Sequence, residues 1–153
     1  MNMNKLISFV KQYTKSEIPE ISQATKIGRS YYLIGKDQEE VMGRLALEPV
    51  SAGLFLGELK DSKFRPGFPL IDIIAKKSDR KAVVGQKGET LFLYRNNLFQ
   101  ETVKSFGADE GPVIVCNERG EALGIGEVRE ARGQKIIKHI LDRSDFLKRE
   151  SRR

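Results

Sequence analysis

Some residue types that often carry function are nearly missing from this chain of 153 residues, which has no tryptophan, one cysteine and one histidine. A single cysteine cannot form a disulfide within the chain, and Cys116 with His139 cannot supply the four ligands of a structural zinc site. These shortages exclude disulfide-stapled and zinc-dependent folds. The sequence therefore predicts neither a metal nor a cofactor.

Long hydrophobic runs are also missing. No segment reaches the roughly 18 consecutive apolar residues of a membrane-spanning helix, and the N-terminus has no apolar stretch followed by a small-residue cleavage site. The sequence therefore predicts a soluble, cytoplasmic protein without membrane contact.

Positive charge, by contrast, is abundant and unevenly placed. The chain has 27 Lys and Arg against 21 Asp and Glu, a formal charge of +6. From residue 129 onward, nine basic residues stand against four acidic ones. Charge gathered in one region favours phosphate or an acidic surface over neutral partners. The C-terminal half is thus the predicted polyanion-binding part.

Apolar spacing in the first half predicts alternating helices and strands. Helical periodicity at the N-terminus predicts an amphipathic helix that ends near Pro19. Strands are predicted over residues 30–34 and 52–60, with a helix over 37–46 between them. Residues 70–75 are apolar enough for either a short helix or a short strand. The N-terminal helix is expected to bury Leu6, Phe9, Val10 and Tyr13.

A polar segment from Lys76 to Arg80 predicts the domain boundary. It divides the chain into an N-terminal domain of residues 1–75 and a C-terminal domain of residues 76–153. The second of these begins with a predicted hairpin, whose strands cover residues 81–84 and 91–94 and whose turn contains Gly88.

The rest of the C-terminal domain is predicted as one helix followed by three strands. Asn97 should begin the helix, Phe99 should lie in its buried face, and Gly107 should end it. Strands over residues 112–116 and 122–128 are joined by a hairpin turn, and a last strand covers residues 136–141. Ser144 is predicted to cap a short charged helix.

Four cations recur about every third residue around the last strands: Arg129, Arg132, Lys135 and Lys138. If they converge on one side of a rigid β scaffold, they can contact consecutive phosphates. The alternative is a solvated surface without a partner. Tyr94 and Arg95 are further candidates, because an exposed aromatic ring beside a cation can stack on an unpaired base.

Catalytic patterns are weak in this sequence. Cys116 and His139 could in principle form a thiol nucleophile and its base, but each lies in an apolar strand pattern. The Gly85 to Gly88 segment matches a phosphate-clamping GXXG loop, although its flanks are predicted as strands. Gly124-Ile125-Gly126 begins like a dinucleotide fingerprint but lies inside a predicted strand. No catalytic constellation rises above the background.

Two groups of segments resemble a known family. Phe92 to Asn96 and Gly111 to Val128 resemble the PUA domain (named for pseudouridine synthases and archaeosine transglycosylases) of the Nip-seven family of ribosome biogenesis factors. Three upstream segments resemble the α/β domain that precedes the PUA domain in that family: Pro49 to Gly53, Phe55 to Gly57 and Lys63 to Arg65. The resemblance runs from about Tyr31 to about Arg149.

The resemblance implies an α+β fold, in which a small N-terminal α/β domain with an antiparallel sheet is followed by a PUA-type β-barrel domain with short helices. It implies a non-enzymatic role in large ribosomal subunit biogenesis and rRNA processing, through single-stranded, uridine-rich RNA. Arg132, Lys135 and Lys138, with Arg129 beside them, best fit the family's basic cluster. The N-terminal domain is expected to dock ribosome assembly or exosome-type proteins, and no small-molecule substrate is expected.

The chain departs from the family pattern at two places. Arg95 stands where the family usually has glycine, and the connection from Val128 to Ile136 is shorter than usual. Three other functions stay open: an accessory PUA subunit of an RNA-modifying enzyme, a protein-only scaffold whose basic tail docks on an acidic partner, and a small hydrolase using Cys116 or His139.

Overall fold

The computed structural model describes residues 4–33 and 54–144. The chain divides into two compact units, Met1–Lys77 and Ser78–Arg153. The helix predicted over residues 37–46 and the charged helix predicted after Ser144 lie outside the described residues. None of the described helices is long and apolar enough to cross a membrane.

The N-terminal unit begins with the predicted amphipathic helix, α1, over Asn4–Lys11. Leu6, Phe9 and Val10 are buried as the periodicity predicts. The prediction that the helix continues to Pro19 is wrong. Pro19 instead begins a one-turn helix, α2, over Pro19–Ser22, because proline lacks the N–H that the first helical position leaves unpaired anyway.

An antiparallel sheet of four strands forms the rest of this unit, in the order β1-β2-β3-β4. The strands are β1 (Thr25–Ile27), β2 (Ser30–Leu33), β3 (Leu54–Lys60) and β4 (Lys63–Pro66). The described parts of both predicted strands are confirmed. The ambiguous apolar segment is helical and belongs to α3, Phe68–Lys77, which buries Leu70, Ile71 and Ile74 completely.

The C-terminal unit is built on a sheet of six strands in the order β6-β10-β9-β8-β5-β7. The strands are β5 (Lys81–Val84), β6 (Leu98–Phe99), β7 (Val103–Ser105), β8 (Gly111–Cys116), β9 (Ala122–Ala131) and β10 (Gln134–Asp142). The two outermost strands, β6 and β7, are joined by a single 3₁₀ turn over Gln100–Thr102. Because three residues link the opposite edges, the sheet curls into a nearly closed barrel. This architecture confirms the predicted fold class.

The barrel encloses one apolar core. All its pairings are antiparallel except that of β5 with β8. Side chains from five strands and one helix meet inside and are almost fully buried: Ala82, Val84, Phe92, Leu98, Val113, Val115, Leu123, Val128 and Ile137. The predicted strands over residues 81–84, 112–116, 122–128 and 136–141 are confirmed.

Two predictions for this unit are wrong. The segment predicted as a hairpin is instead helix α4, Gln86–Leu93. Gly88 marks no turn there; a Cβ at this position would lie 2.7 Å from the carbonyl oxygen of Thr102, so glycine permits close packing inside a helix. The helix predicted from Asn97 to Gly107 is replaced by β6, the 3₁₀ turn and β7. Closing the barrel through these strands outweighs local helical spacing.

Candidate nucleic-acid interface

The last hairpin, β9–β10, carries all four predicted cations. It is joined by the two-residue turn Arg132-Gly133, where Ala131 pairs with Gln134. Both turn residues have positive φ, +54° for Arg132 and +79° for Gly133. Positive φ at both positions is the geometry of a type I′ turn, whose twist matches that of the flanking strands. The hairpin is therefore tight, and Arg132 projects from its tip.

The register of the hairpin decides which cations share a face. Ile137 pairs with Val128, and both are buried in the barrel core. Neighbouring strand residues point to opposite sides. Lys138, which pairs with Glu127, and Arg129, which pairs with Ile136, therefore lie on the outer side. We call the surface formed by Phe99, Arg129, Ile136 and Lys138 the outer face.

Lys135 lies on the opposite side of the hairpin. It pairs with Glu130, and its Nζ is 3.3 Å from Oδ1 of Asp109 and 5.6 Å from the ring centre of Phe106. Phe106 packs against the barrel core. The prediction that all four cations form one strip is therefore wrong, since a spacing of three residues alternates between the two faces of a strand.

Arg129 is partly neutralised by its own strand. Its Nε donates a hydrogen bond to Oε1 of Glu127 at 2.8 Å, and this bond together with the carboxylate charge raises the pKa of Arg129. The guanidinium is thus permanently charged. Exposed ion pairs of this kind contribute little stability, so a phosphate with several acceptor oxygens can compete with Glu127 for the guanidinium.

Tyr94 and Arg95 follow the C-terminal end of α4. Tyr94 is the most exposed of the large apolar side chains among the described residues, at 77%. Arg95 has a φ of +68°, the left-handed conformation that glycine commonly supplies just after a helix. This backbone explains why glycine is expected there. The segment runs on to Asn97, whose Oδ1 accepts a hydrogen bond of 2.9 Å from the backbone N–H of His139 on β10.

An open depression of about 1040 Å³ lies beside the hairpin on the same unit. Three cations line it, and each already has a partner. Arg80 donates hydrogen bonds to the carbonyls of Glu110 and Pro112. Arg129 pairs with Glu127, and Lys135 pairs with Asp109. Four carboxylates line it against those three cations: Asp109, Glu110, Glu127 and Glu130. The balance of charge in the depression is unfavourable for phosphate. Arg129 and Glu127 line both the depression and the outer side of the hairpin.

Cys116 and His139 are both held inside the C-terminal unit. Cys116 is 2% exposed, and its sulfur lies 4.0 Å from the carbonyl oxygen of Ile114. The His139 ring packs on Phe92 at 4.8 Å between ring centres, and its Nε2 lies 2.6 Å from Oδ2 of Asp142. An ionised carboxylate can only accept hydrogen bonds, so this nitrogen carries the proton.

Sequence reasoning missed two residues of interest. Phe99, predicted to be core, is 49% exposed, whereas Asp142, which drew no attention, is completely buried. Phe99 sits on a two-residue strand, too short for alternation to reveal its face. Asp142 follows an apolar run, as a polar turn residue would. Only its hydrogen bonds with His139 and Ser144 show that it is a buried residue.

The C-terminal unit is similar to a known family of domains. Residues 80–151 match the family profile described as "UPF0113 PUA domain". The C-terminal unit is therefore similar to a PUA domain over almost its whole length.

The similarity to individual proteins extends beyond that domain. The chain is 28% identical over 131 residues to a UPF0113 protein of Archaeoglobus fulgidus, which covers 78% of this chain and 73% of the relative. It is 31% identical over 102 residues to a UPF0113 protein of Aeropyrum pernix, which covers 65% of this chain and 58% of that relative.

The hairpin tip gives a first testable prediction. Asparagine tolerates positive φ better than arginine and is favoured before glycine in type I′ turns. Arg132→Asn should therefore raise the free energy of unfolding by about 0.5–1 kcal/mol, measured by urea denaturation. Arg132→Lys, which keeps the charge without the turn preference, is the matched control and should leave stability near wild type. A destabilised Arg132→Asn variant would contradict the turn assignment.

Proposed function

We propose that this protein is an RNA-binding factor of large ribosomal subunit biogenesis and rRNA processing. It binds single-stranded, uridine-rich segments of rRNA precursor through the outer face of the β9–β10 hairpin. The observation that carries the proposal is the strand register, which puts Arg129 and Lys138 on one exposed side of a unit similar to a PUA domain, with Arg132 at the adjoining tip. Its resemblance to the Nip-seven family supplies the biological setting.

Backbone strain at the tip supports a functional role for Arg132. A residue with a side chain rarely adopts positive φ without a structural or functional reason. Here the strained position carries a long cation that projects from the end of the hairpin. A phosphate-binding role accounts for arginine at a position where asparagine would fold better.

The N-terminal unit has a different proposed role. Residues 1–77 hold twelve basic and nine acidic residues, and residues 78–153 hold fifteen and twelve, so net charge does not distinguish the two units. We assign it to docking of ribosome assembly or exosome-type proteins, in line with the family resemblance. The protein then links an RNA segment to its processing machinery without catalysing a reaction itself.

A double substitution tests the RNA-binding face. In Arg129→Ala/Lys138→Ala, two phosphate contacts are lost, and each contributes about 0.7 to the slope of log K against log salt for single strands. The slope should become shallower by about 1.4, and affinity for a uridine-rich oligonucleotide should fall about tenfold near physiological salt. Fluorescence anisotropy over a range of salt concentrations measures both quantities.

Lys135→Ala is the matched control for that experiment. It removes a lysine charge from β10, the strand that also carries Lys138, but from the opposite side of the hairpin. We expect its slope to match wild type. Equal losses from Lys135→Ala and from Lys138→Ala would show that binding follows total charge and not the outer face.

A protein-only scaffold is the second candidate, and one observation favours it. Carboxylates already engage Arg129 and Lys135, which lowers the charge available to RNA. A scaffold would show no RNA binding near physiological salt, and it would bind an acidic protein through the same surface. If a pull-down recovers an RNA-modifying enzyme in place of ribosome precursors, the accessory-subunit alternative is favoured instead.

A further inference from the structure

Phe99 occupies an unusual place for a phenylalanine in a small barrel. Its neighbour Leu98 pairs with Ile137 and is fully buried, while Phe99 pairs with Ile136 and points the other way. The ring is 49% exposed. A phenylalanine side chain normally stabilises the fold by burying its apolar surface, and an exposed ring loses that stabilisation.

The surroundings of Phe99 are cationic. Ile136 lies directly beside it on β10, and Arg129 lies beyond Ile136 on β9. With strands spaced about 4.8 Å apart, the backbone of Arg129 is about 10 Å from that of Phe99. Lys138 is two residues along β10 from Ile136 and shares its side. An aromatic ring thus stands within reach of two separate cations.

We propose that Phe99 stacks against an unpaired base of single-stranded RNA whose flanking phosphates contact Arg129 and Lys138. The inference rests on the proposed RNA-binding function and adds the residue that holds a base. Proteins that bind single strands combine a basic surface with aromatic rings because every base has a face that can stack. The ring also explains how a surface with few free cations could hold RNA.

A protein partner fits this surface less well. The centre of a protein interface is depleted of lysine and glutamate. Around Phe99, by contrast, Lys138 and Glu127 share one side of the hairpin. Charged groups so close to the ring would have to lose their water in a protein interface, whereas phosphates can pair with both Lys138 and Arg129.

The absence of tryptophan from the sequence allows a direct test. Phe99→Trp places a single tryptophan reporter in the proposed stack. Titration with a uridine-rich single-stranded oligonucleotide should quench its fluorescence, because a stacked base quenches indole emission. An oligonucleotide of the same length without bases should bind with a similar salt slope and cause little quenching. Equal quenching by both ligands, or by neither, would overturn the stack.

Affinity measurements complete the test. Phe99→Ala should weaken RNA binding by roughly 5-fold to 150-fold and leave the salt slope unchanged, because no charge is removed. Phe99→Leu preserves an apolar side chain without a flat ring, so it should lose affinity while retaining the fold. Ile27→Ala, which truncates an apolar residue 54% exposed on the other unit, should bind like wild type. Circular dichroism melts identify any variant that is unfolded.

The results separate this inference from the function on which it rests. If Phe99→Leu binds RNA like wild type while Arg129→Ala/Lys138→Ala does not, the stack is wrong and the RNA-binding function stands. If the wild-type protein binds no RNA, both are wrong. A shift in Phe99→Trp emission that only a protein partner causes would also overturn the stack.

Discussion

Replacing Gly124 by alanine should destabilise the C-terminal unit by about 3 kcal/mol or more. Gly124 has a φ of +157° and pairs with Asp142 of β10. A Cβ at this position would overlap the carbonyl oxygen of Leu141 and lie 2.7 Å from the Cα of Asp142. Both are backbone atoms of a paired strand and cannot move away as a flexible side chain could. Urea denaturation followed by circular dichroism gives the free energy of unfolding.

Gly120→Ala is the matched control for Gly124→Ala. Gly120 also has a positive φ, +82°, but its Cβ would meet no heavy atom within 4 Å. Only the backbone preference is disturbed, so the expected cost is about 1 kcal/mol. If both variants cost the same, the close approach of β10 is not the reason for glycine at position 124.

Replacing Asp142 by alanine should cost about 3 kcal/mol. The fully buried carboxylate accepts hydrogen bonds from the backbone N–H of Ser144 at 2.7 Å, from the Ser144 hydroxyl and from Nε2 of His139. Removing it leaves these donors unpaired inside the protein. Asp142→Asn keeps the shape and one acceptor oxygen, so its cost should be smaller.

The same carboxylate predicts a pH dependence. Burial alone would raise the pKa of Asp142, but hydrogen bonds from Ser144 and His139 outweigh it, and the pKa lies below its ordinary value of 3.8. The ionised form is therefore bound more strongly in the folded state. Its stabilising contribution is complete above the ordinary pKa and is lost as pH falls through the lowered one. The stability difference between wild type and Asp142→Asn should shrink as pH falls below about 4. A difference that stays constant to pH 2 would contradict this account.

Local signals were sufficient for much of the fold. The spacing of Leu6, Phe9 and Val10 predicted α1, and the continuous apolar run before Cys116 predicted β8. These signals worked because each element buries a face whose residues are close in sequence. Gly120 likewise marked the hairpin between β8 and β9 through its turn chemistry.

Elements that depend on distant partners were not predictable in this way. Helix α4 contains Gly88, which predicted a hairpin turn. Only the close packing of Gly88 against Thr102 explains a glycine inside this helix. Strands β6 and β7 exist because they close the barrel against β10 and β5. In strands of two or three residues, the local sequence pattern does not indicate which strand each one pairs with.

The candidate site shows a different limit. The cations were found from charge alone, but their spacing of three residues was interpreted as convergence. A strand has a period of two, so Lys135 and Lys138 must face opposite ways. The predicted strand began at residue 136, after Lys135, and only the observed start at Gln134 brings both lysines into one strand. The exposure of Phe99 had no comparable signal, because it depends on pairing with Ile136.

Photocrosslinking tests the central claim, RNA binding by the outer face, most directly. A uridine-rich oligonucleotide carrying 4-thiouridine would be bound to the wild-type protein, irradiated and mapped by mass spectrometry. The account predicts adducts on Phe99, Ile136 or Lys138 and none on Lys135, although Lys135 is adjacent to Ile136 in sequence. Adducts confined to Lys135 and the depression around Asp109, with none on the outer face, would contradict it.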